Sequence, residues 1–200
     1  MEIDITKFSD LEFIKNMFKE LNCIGNTNCF LVAANRDFIP EGLQNRVGMK
    51  RAGQNAGGFV GGMIGSAMDD AIDDMHQELV DSIKNPGLKM LTDNNIYGYI
   101  LNFTEYGVGI VPLHNNSLRI SKAIAHPEEF KYITYNFIES TKLKKIPFNF
   151  NRKFLYIVWN EGNKPQTIFS LRVKDKVIKY QQENFKAFEK IYDDYVKKCA

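Results

Sequence analysis

The chain has 200 residues, enough for one domain or two small ones with a buried core. Its hydrophobic fraction of 44% and charged fraction of 25% are typical of globular proteins, which excludes the collagen-like and disordered classes. Aromatic residues at 12% favour β structure, and three cysteines without an apolar export segment after Met1 predict a reducing, cytoplasmic environment.

The net charge of +2 conceals an uneven distribution. Residues 1–93 contain nine Lys and Arg against fourteen Asp and Glu, whereas residues 94–200 contain seventeen against ten. A basic half of this kind can favour anionic surfaces, but its excess charge is too small to predict nucleic-acid binding.

An N-terminal helix is predicted within a first unit, residues 1–26. The run from Ser9 to Glu12 matches a capping box with Ser9 as the N-cap. Asn22 and Gly25 predict the end of the helix, whose apolar stripe consists of Leu11, Ile14, Phe18 and Leu21. The second unit, residues 27–200, is predicted to begin with a buried strand at 29–33 and to contain a helical insertion at 40–94.

Residues 52–68 of the insertion are rich in glycine and leave three interpretations open. As a helix, they would form a glycine zipper at which this chain or a second copy could approach closely. Its rows of small residues are Gly53, Gly57, Gly61 and Gly65, beside Gly58, Gly62 and Ser66. The stretch could instead be a flexible linker, or a hairpin whose residues 53–66 insert into a membrane without spanning it.

A further helix is predicted after a capping box at Ser66–Asp69, with Asn85-Pro86-Gly87 as its end. Asp69 and Asp73 belong to a DDxxD pattern, by which isoprenyl diphosphate synthases hold Mg²⁺, and on a helix they would share a face. Because the chain has no second Asp-rich motif, an acidic first turn that suits the helix dipole is the better interpretation. The apolar stripe of this helix is Met68, Ile72, Met75, Leu79 and Ile83.

From Asn95 the hydrophobic period changes to that of strands. Strands are predicted at 97–104, 108–111, 133–145, 154–159 and 168–173, the first two as a hairpin. An amphipathic helix follows from about Ile178, with Tyr180, Phe185, Phe188, Ile191 and Tyr195 on its apolar face. This order predicts an α+β fold, a bent antiparallel sheet or barrel closed at one end by the C-terminal helix.

Four stretches of this region, residues 100–113, 132–145, 153–173 and 179–195, resemble the bacterial pleckstrin-homology-like (PH-like, GRAM-related) domains. The features that carry the resemblance are Thr104, Gly107, Ile138 to Lys142, the Glu161-Gly162 turn and the Asn184-Phe185 pair. The resemblance implies that residues 95–198 form a PH-like domain, with 29–34 as its first strand. The insertion falls where eukaryotic relatives often carry a basic lipid-headgroup site, so the sequence departs from the family there and no ligand residue is carried over.

The sequence shows no pattern typical of catalysis or metal binding. His76, His114 and His126 lack zinc-binding spacing, and no CxxC pair joins Cys23, Cys29 and Cys199, which we expect to be buried or idle thiols. Nucleophile-elbow, phosphate-loop and dinucleotide-binding motifs are also missing from the sequence. The prediction is a protein that is not an enzyme and uses no metal or cofactor.

One basic patch flanks Phe148 and Phe150. It consists of Lys142, Lys144, Lys145, Arg152 and Lys153, and Lys142 and Lys144 would share one face of a strand. The patch could bind anionic lipid or nucleic acid by charge, or it could be a solvated strand end whose lysines prevent edge pairing.

Three classes of function follow from these observations. The favoured one is a non-catalytic cytoplasmic PH-like interaction module that binds a protein partner, or itself through the glycine-rich stretch. The alternative is a peripheral protein that binds anionic membranes through residues 53–66 and the basic patch. The third is an enzyme with a metal site at the Asp69–Asp73 cluster.

Overall fold

The computed structural model describes residues 3–36, 38, 82–93, 95–115, 119–146, 149–162 and 164–199. Within these residues the fold is α+β, with a bent antiparallel sheet, helices at the N-terminus and a C-terminal helix, as the sequence predicts. The helices are α1 (Ile5–Phe8), α2 (Leu11–Glu20), α3 (Pro86–Thr92) and α4 (Gln181–Ile191). The strands are β1 (Cys29–Asn35), β2 (Gly98–Phe103), β3 (Gly107–His114), β4 (Ile124–Ala125), β5 (Lys131–Thr134), β6 (Ile138–Ile146), β7 (Asn149–Trp159) and β8 (Gln166–Arg172).

Two groups of antiparallel strands meet at β1 and β8 and form one sheet in the order β4-β3-β2-β1-β8-β7-β6, with β5 also paired to β3. β1 pairs with β2 from Cys29 opposite Phe103 to Ala34 opposite Gly98. With β8 it pairs only at residues 33–35. The first half of β1 therefore lacks a strand on its β8 side among the described elements.

Polar side chains of α4 fill this gap in the sheet. The Gln181 Oε1 atom accepts the Val32 backbone N–H at 3.0 Å, and its Nε2 atom donates to the Val32 carbonyl at 3.1 Å. Asn184 donates in the same way to the Phe30 carbonyl at 2.8 Å. These side chains take the place of strand partners, because buried backbone groups need hydrogen bonds wherever pairing stops.

Both faces of the β1–β3 half of the sheet are buried. One face packs against α4 in a core that contains Phe103, Trp159 and Phe188. The other packs against α1 and α2 in a second core, in which Phe18 and Ile100 lie. The alternation predicted for residues 97–104 is present, but the N-terminal helices cover the face that alternation alone would leave to solvent.

The N-terminal segment contains two helices, and the predicted N-cap is wrong by one residue. Asp10 caps α2, because its carboxylate accepts the Glu12 N–H at 2.9 Å. Ser9 instead ends α1, with a helical ψ of −10° and its backbone N–H bonded to the Ile5 carbonyl. An N-cap needs extended backbone, which Ser9 does not have. The apolar stripe is buried at Ile14, Met17 and Phe18.

The residues Asn85-Pro86-Gly87 begin a helix, which the sequence patterns did not predict, and they follow the end of another, since Ser82 is helical and residues 83–85 are not. The Asn85 side chain accepts the N–H groups of Gly87 and Leu88, and Pro86 occupies the first position of α3. Asn and Pro favour this arrangement because proline lacks the N–H that a first turn cannot use. The predicted helix before them lies almost entirely outside the described residues.

The region predicted as one strand at 133–145 is divided between β5 and β6 by a 3-10 turn at Tyr135–Phe137. Tyr135 is buried there, and its hydroxyl donates to the Thr104 carbonyl at 2.8 Å. The bond stabilises the turn at which the chain passes from the first half of the sheet to the second.

The C-terminal helix begins at Gln181, three residues later than predicted, and ends in a π-helical turn at Tyr192–Val196. The wider turn rotates the apolar face. Tyr192 and Val196 are therefore buried, whereas Tyr195, predicted on that face, is 36% exposed.

The three thiols differ in burial. Burial raises the pKa of Cys23 to about 11 and that of Cys29 to about 12, whereas Cys199 is exposed. Because the thiolate is the reactive species, we expect a disulfide reagent to label Cys199 alone in the native protein. In guanidinium chloride all three cysteines should react. Native Cys199→Ser protein should show no fast phase, and a fast phase there would contradict the burial of the other two.

Candidate functional site

The predicted basic patch lies on the β6–β7 hairpin, and the structure divides it among three environments. Lys142 lies opposite Tyr156 and Lys144 opposite Phe154, on the outer face of the sheet. The Lys144 ammonium is 4.6 Å from the centre of the Tyr156 ring. Both lysines are exposed, and neither contacts a carboxylate in the described part of the chain.

Lys153 belongs to the other face of the hairpin. It forms an ion pair with Glu189 of α4 and lies 5.0 Å from the centre of the Phe185 ring. Only 15% of its side chain is exposed. Lys153 therefore holds α4 to the sheet, and the predicted role in anion binding does not suit its position. Lys145, directly opposite Lys153, is exposed.

Phe150 is the most exposed large hydrophobic residue in the described chain. Its side chain is 93% exposed, against 66% for Tyr106, the next in this group. It follows the point where Ile146 pairs with Asn149 at the tip of the hairpin. Phe148, the other aromatic residue of the predicted patch, lies outside the described residues. We call the tip residue and the two exposed lysines of the outer face the hairpin surface: Lys142, Lys144 and Phe150.

Arg152 lines a cleft on the outer face of the sheet where β1, β8 and β7 adjoin. The cleft has a volume of about 210 Å³ and contains two further arginines, Arg36 and Arg172. We call it the arginine cleft. Its remaining walls are mostly apolar or aromatic and include Phe38, Tyr97, Ile120 and Ile178.

Asp175 is the carboxylate that lines the arginine cleft, and its oxygens already accept hydrogen bonds from within the protein. Its oxygens accept the N–H groups of Val177 and Ile178, and one lies 2.7 Å from the Arg172 guanidinium. Burial alone would raise the pKa of Asp175, but these donors together hold it below its ordinary value. Asp175 is therefore ionised at neutral pH and neutralises part of the charge of Arg172.

Two histidines that are distant in sequence are neighbours in the structure. The rings of His114 and His126 have centroids 4.7 Å apart, with Glu129 3.2 Å from His114 and Glu128 2.9 Å from His126. No group of three or more potential ligands in the described residues is arranged to hold a metal ion. His76 lies outside the described residues.

Other predicted site residues also lie outside the described part of the chain. They are the glycine rows, Gly53, Gly57, Gly58, Gly61, Gly62 and Gly65, and the acidic pair, Asp69 and Asp73. Self-association through the glycine-rich stretch, membrane insertion of residues 53–66 and a metal site at the acidic pair therefore stay predictions.

Sequence reasoning missed the arginine cleft. Arg36 follows β1, Tyr97 precedes β2 and Arg172 ends β8, so no local spacing connects them. Strand alternation correctly places Ile168, Ser170 and Arg172 on one face of β8. It does not show which residues of other strands lie beside that face.

Comparisons with protein-family models, curated proteins and solved structures found no match for this chain. In the described residues, the helices are too short or too polar to cross a membrane. The hairpin surface and the arginine cleft are therefore interpreted from their own chemistry.

Proposed function

We propose that this chain is a non-catalytic cytoplasmic interaction module with a PH-like domain that docks reversibly on anionic membranes through the hairpin surface. The observation that carries the proposal is Phe150, which is 93% exposed at the tip of a hairpin that also carries exposed lysines. An exposed aromatic side chain next to cations is the combination that suits the boundary between lipid headgroups and acyl chains.

The PH-like part of the proposal is supported by the order of elements. A series of antiparallel strands is followed by a C-terminal amphipathic helix that packs on β1, as the sequence resemblance implies. The sparse cysteines, which predict a reducing compartment, support a cytoplasmic location.

The expected affinity is modest because the hairpin surface is small. Burying a phenylalanine side chain stabilises binding by about 1.5–3 kcal/mol. Each lysine close to an anionic surface adds about 1 kcal/mol, which salt reduces. Binding free energies of this size give reversible binding that depends on lipid charge.

Vesicle flotation tests the proposal. Wild-type protein should float with phosphatidylcholine vesicles that contain phosphatidylserine at low salt, and remain at the bottom with phosphatidylcholine alone. Phe150→Ser should weaken binding by about ten- to a hundredfold, since the ring no longer enters the bilayer. The double change Lys142→Gln with Lys144→Gln should reduce binding about thirtyfold at low salt and flatten its salt dependence.

Tyr106→Ser is the matched control, since it removes another exposed aromatic ring, in the β2–β3 turn. It should bind as wild type does. Equal binding of Phe150→Ser and wild type, or no flotation of wild type at low salt, would overturn the proposed function.

A further inference from the structure

We propose that the arginine cleft binds a phosphate monoester that carries an apolar group, independently of the hairpin surface. The cleft combines three guanidinium groups, one committed carboxylate and an aromatic wall. Guanidinium groups bind phosphate through paired, charge-assisted hydrogen bonds, which favours a doubly charged phosphate over a singly charged group.

The positions of the arginines indicate an anion between them. Arg152 of β7 lies directly opposite Arg172 of β8 in the register of the sheet. Like charges at such positions destabilise a pair of strands. Arg36 lines the same cleft from the end of β1, so the repulsion includes a third cation. A bound anion would relieve it.

The contacts within the fold leave one of these cations unused. Arg172 is paired with Asp175 at 2.7 Å, and the Asp175 side chain is only 4% exposed. Arg36 lies 5.2 Å from the centre of the Phe154 ring, with its Nη1 atom 3.4 Å from the Tyr156 hydroxyl. The side chain of Arg152, although partly buried, has no hydrogen bond or ion pair with any described residue. Its guanidinium is thus available to a ligand in the cleft.

The apolar part of the ligand is inferred from the opposite wall. Phe38 and Tyr97 pack edge to face with ring centroids 5.4 Å apart, and both line the cleft. Ile120 and Ile178 complete this wall. Flat rings stack on such surfaces, and ligand sites generally combine apolar walls with a few oriented polar groups. The volume of about 210 Å³ suits a small molecule or one headgroup.

Calorimetric titration of the full chain with phenyl phosphate tests the inference. Binding should be at least tenfold tighter than that of benzoate, which has the ring but a single charge, and than that of inorganic phosphate, which lacks the ring. Amide signals of residues 34–36 and 170–172 should shift in NMR spectra. Benzoate or inorganic phosphate that binds as tightly as phenyl phosphate would overturn the proposal, as would no binding of phenyl phosphate.

Variants separate the cleft from the hairpin surface and from effects on folding. Arg152→Gln and Arg36→Gln should each weaken phenyl phosphate binding at least tenfold, with thermal midpoints no lower than that of wild type. Lys176→Gln removes an exposed cation next to Asp175 and outside the cleft, and should bind as wild type does. If Arg152→Gln and Arg36→Gln bind normally, the cleft is not the site. Phe150→Ser should retain the affinity, so this result is distinguishable from failure of membrane docking.

The phosphate monoester could belong to a lipid or to a soluble molecule, and vesicles distinguish these sources. Vesicles with phosphatidic acid carry a phosphate monoester, whereas those with phosphatidylserine do not. A preference for phosphatidic acid that Arg152→Gln abolishes assigns the site to a lipid headgroup. Binding of phenyl phosphate without that preference assigns it to a soluble ligand.

Discussion

Replacing Phe188 with alanine should lower the free energy of unfolding by about 3–5 kcal/mol, because it removes a fully buried ring. The ring lies 4.8 Å from that of Phe103 and 5.8 Å from that of Phe185, measured between centroids. The contact with Phe103 joins α4 to the inner face of the sheet. Urea unfolding followed by tryptophan fluorescence should report the loss, since Trp159 is in the same core.

Phe150→Ala is the matched control for this change. It removes the same atoms from a position that is 93% exposed, so we expect stability within about 0.5 kcal/mol of wild type. Similar losses in the two variants would mean that α4 does not pack on the sheet as described.

Replacing Gln181 with leucine should lower the free energy of unfolding by about 2–4 kcal/mol, although the side chain is nearly conserved in size. Gln181 is buried and bonds to the Val32 N–H and carbonyl, and its Nε2 atom also donates to the Arg172 carbonyl at 3.1 Å. Leucine would leave those backbone groups buried without partners. The cost comes from unmet hydrogen bonds, since little apolar packing is lost.

The adjacent Gln182 supplies the control for this prediction. It is half-buried, and its side chain makes no hydrogen bond to any described residue. Gln182→Leu should therefore change stability by less than about 0.5 kcal/mol. If hydrogen exchange of the Val32 amide is no faster in Gln181→Leu than in wild type, Gln181 does not substitute for a strand.

Local sequence patterns predicted an element correctly where a single hydrophobic periodicity ran through it. The β2–β3 hairpin was predictable because alternation stops at a turn and resumes after it, and the α4 residues Phe185, Phe188 and Ile191 were predictable from helical spacing. The same patterns did not locate the cap of α2 or the start of α3. Residues such as Ser9 and Asn85 favour both ends of helices, and the neighbouring segment decides which end forms.

The candidate sites likewise have features that the local sequence predicts and features that it does not. The cations of the basic patch are close together in the sequence. Successive side chains of a strand point to opposite faces of the sheet, however, so neighbours in the sequence need not share a surface. Only the register shows that Lys153 meets Glu189 and that Arg152 meets Arg172. The arginine cleft has no sequence signature, because its three arginines reach one place through pairing of β1 with β8 and of β8 with β7.

The sequence by itself determined the α+β class, the β2–β3 hairpin and the C-terminal amphipathic helix, because each follows from contacts between residues close in the chain. The tertiary structure alone decided that β1 lies between β2 and β8, that Gln181 completes its hydrogen bonds, and which cations are free. Those features arise from contacts between separate segments of the chain, the most distant being that of Val32 with Gln181, 149 residues apart. No local pattern encodes which distant segment will supply a missing partner, since many segments of similar composition could do so.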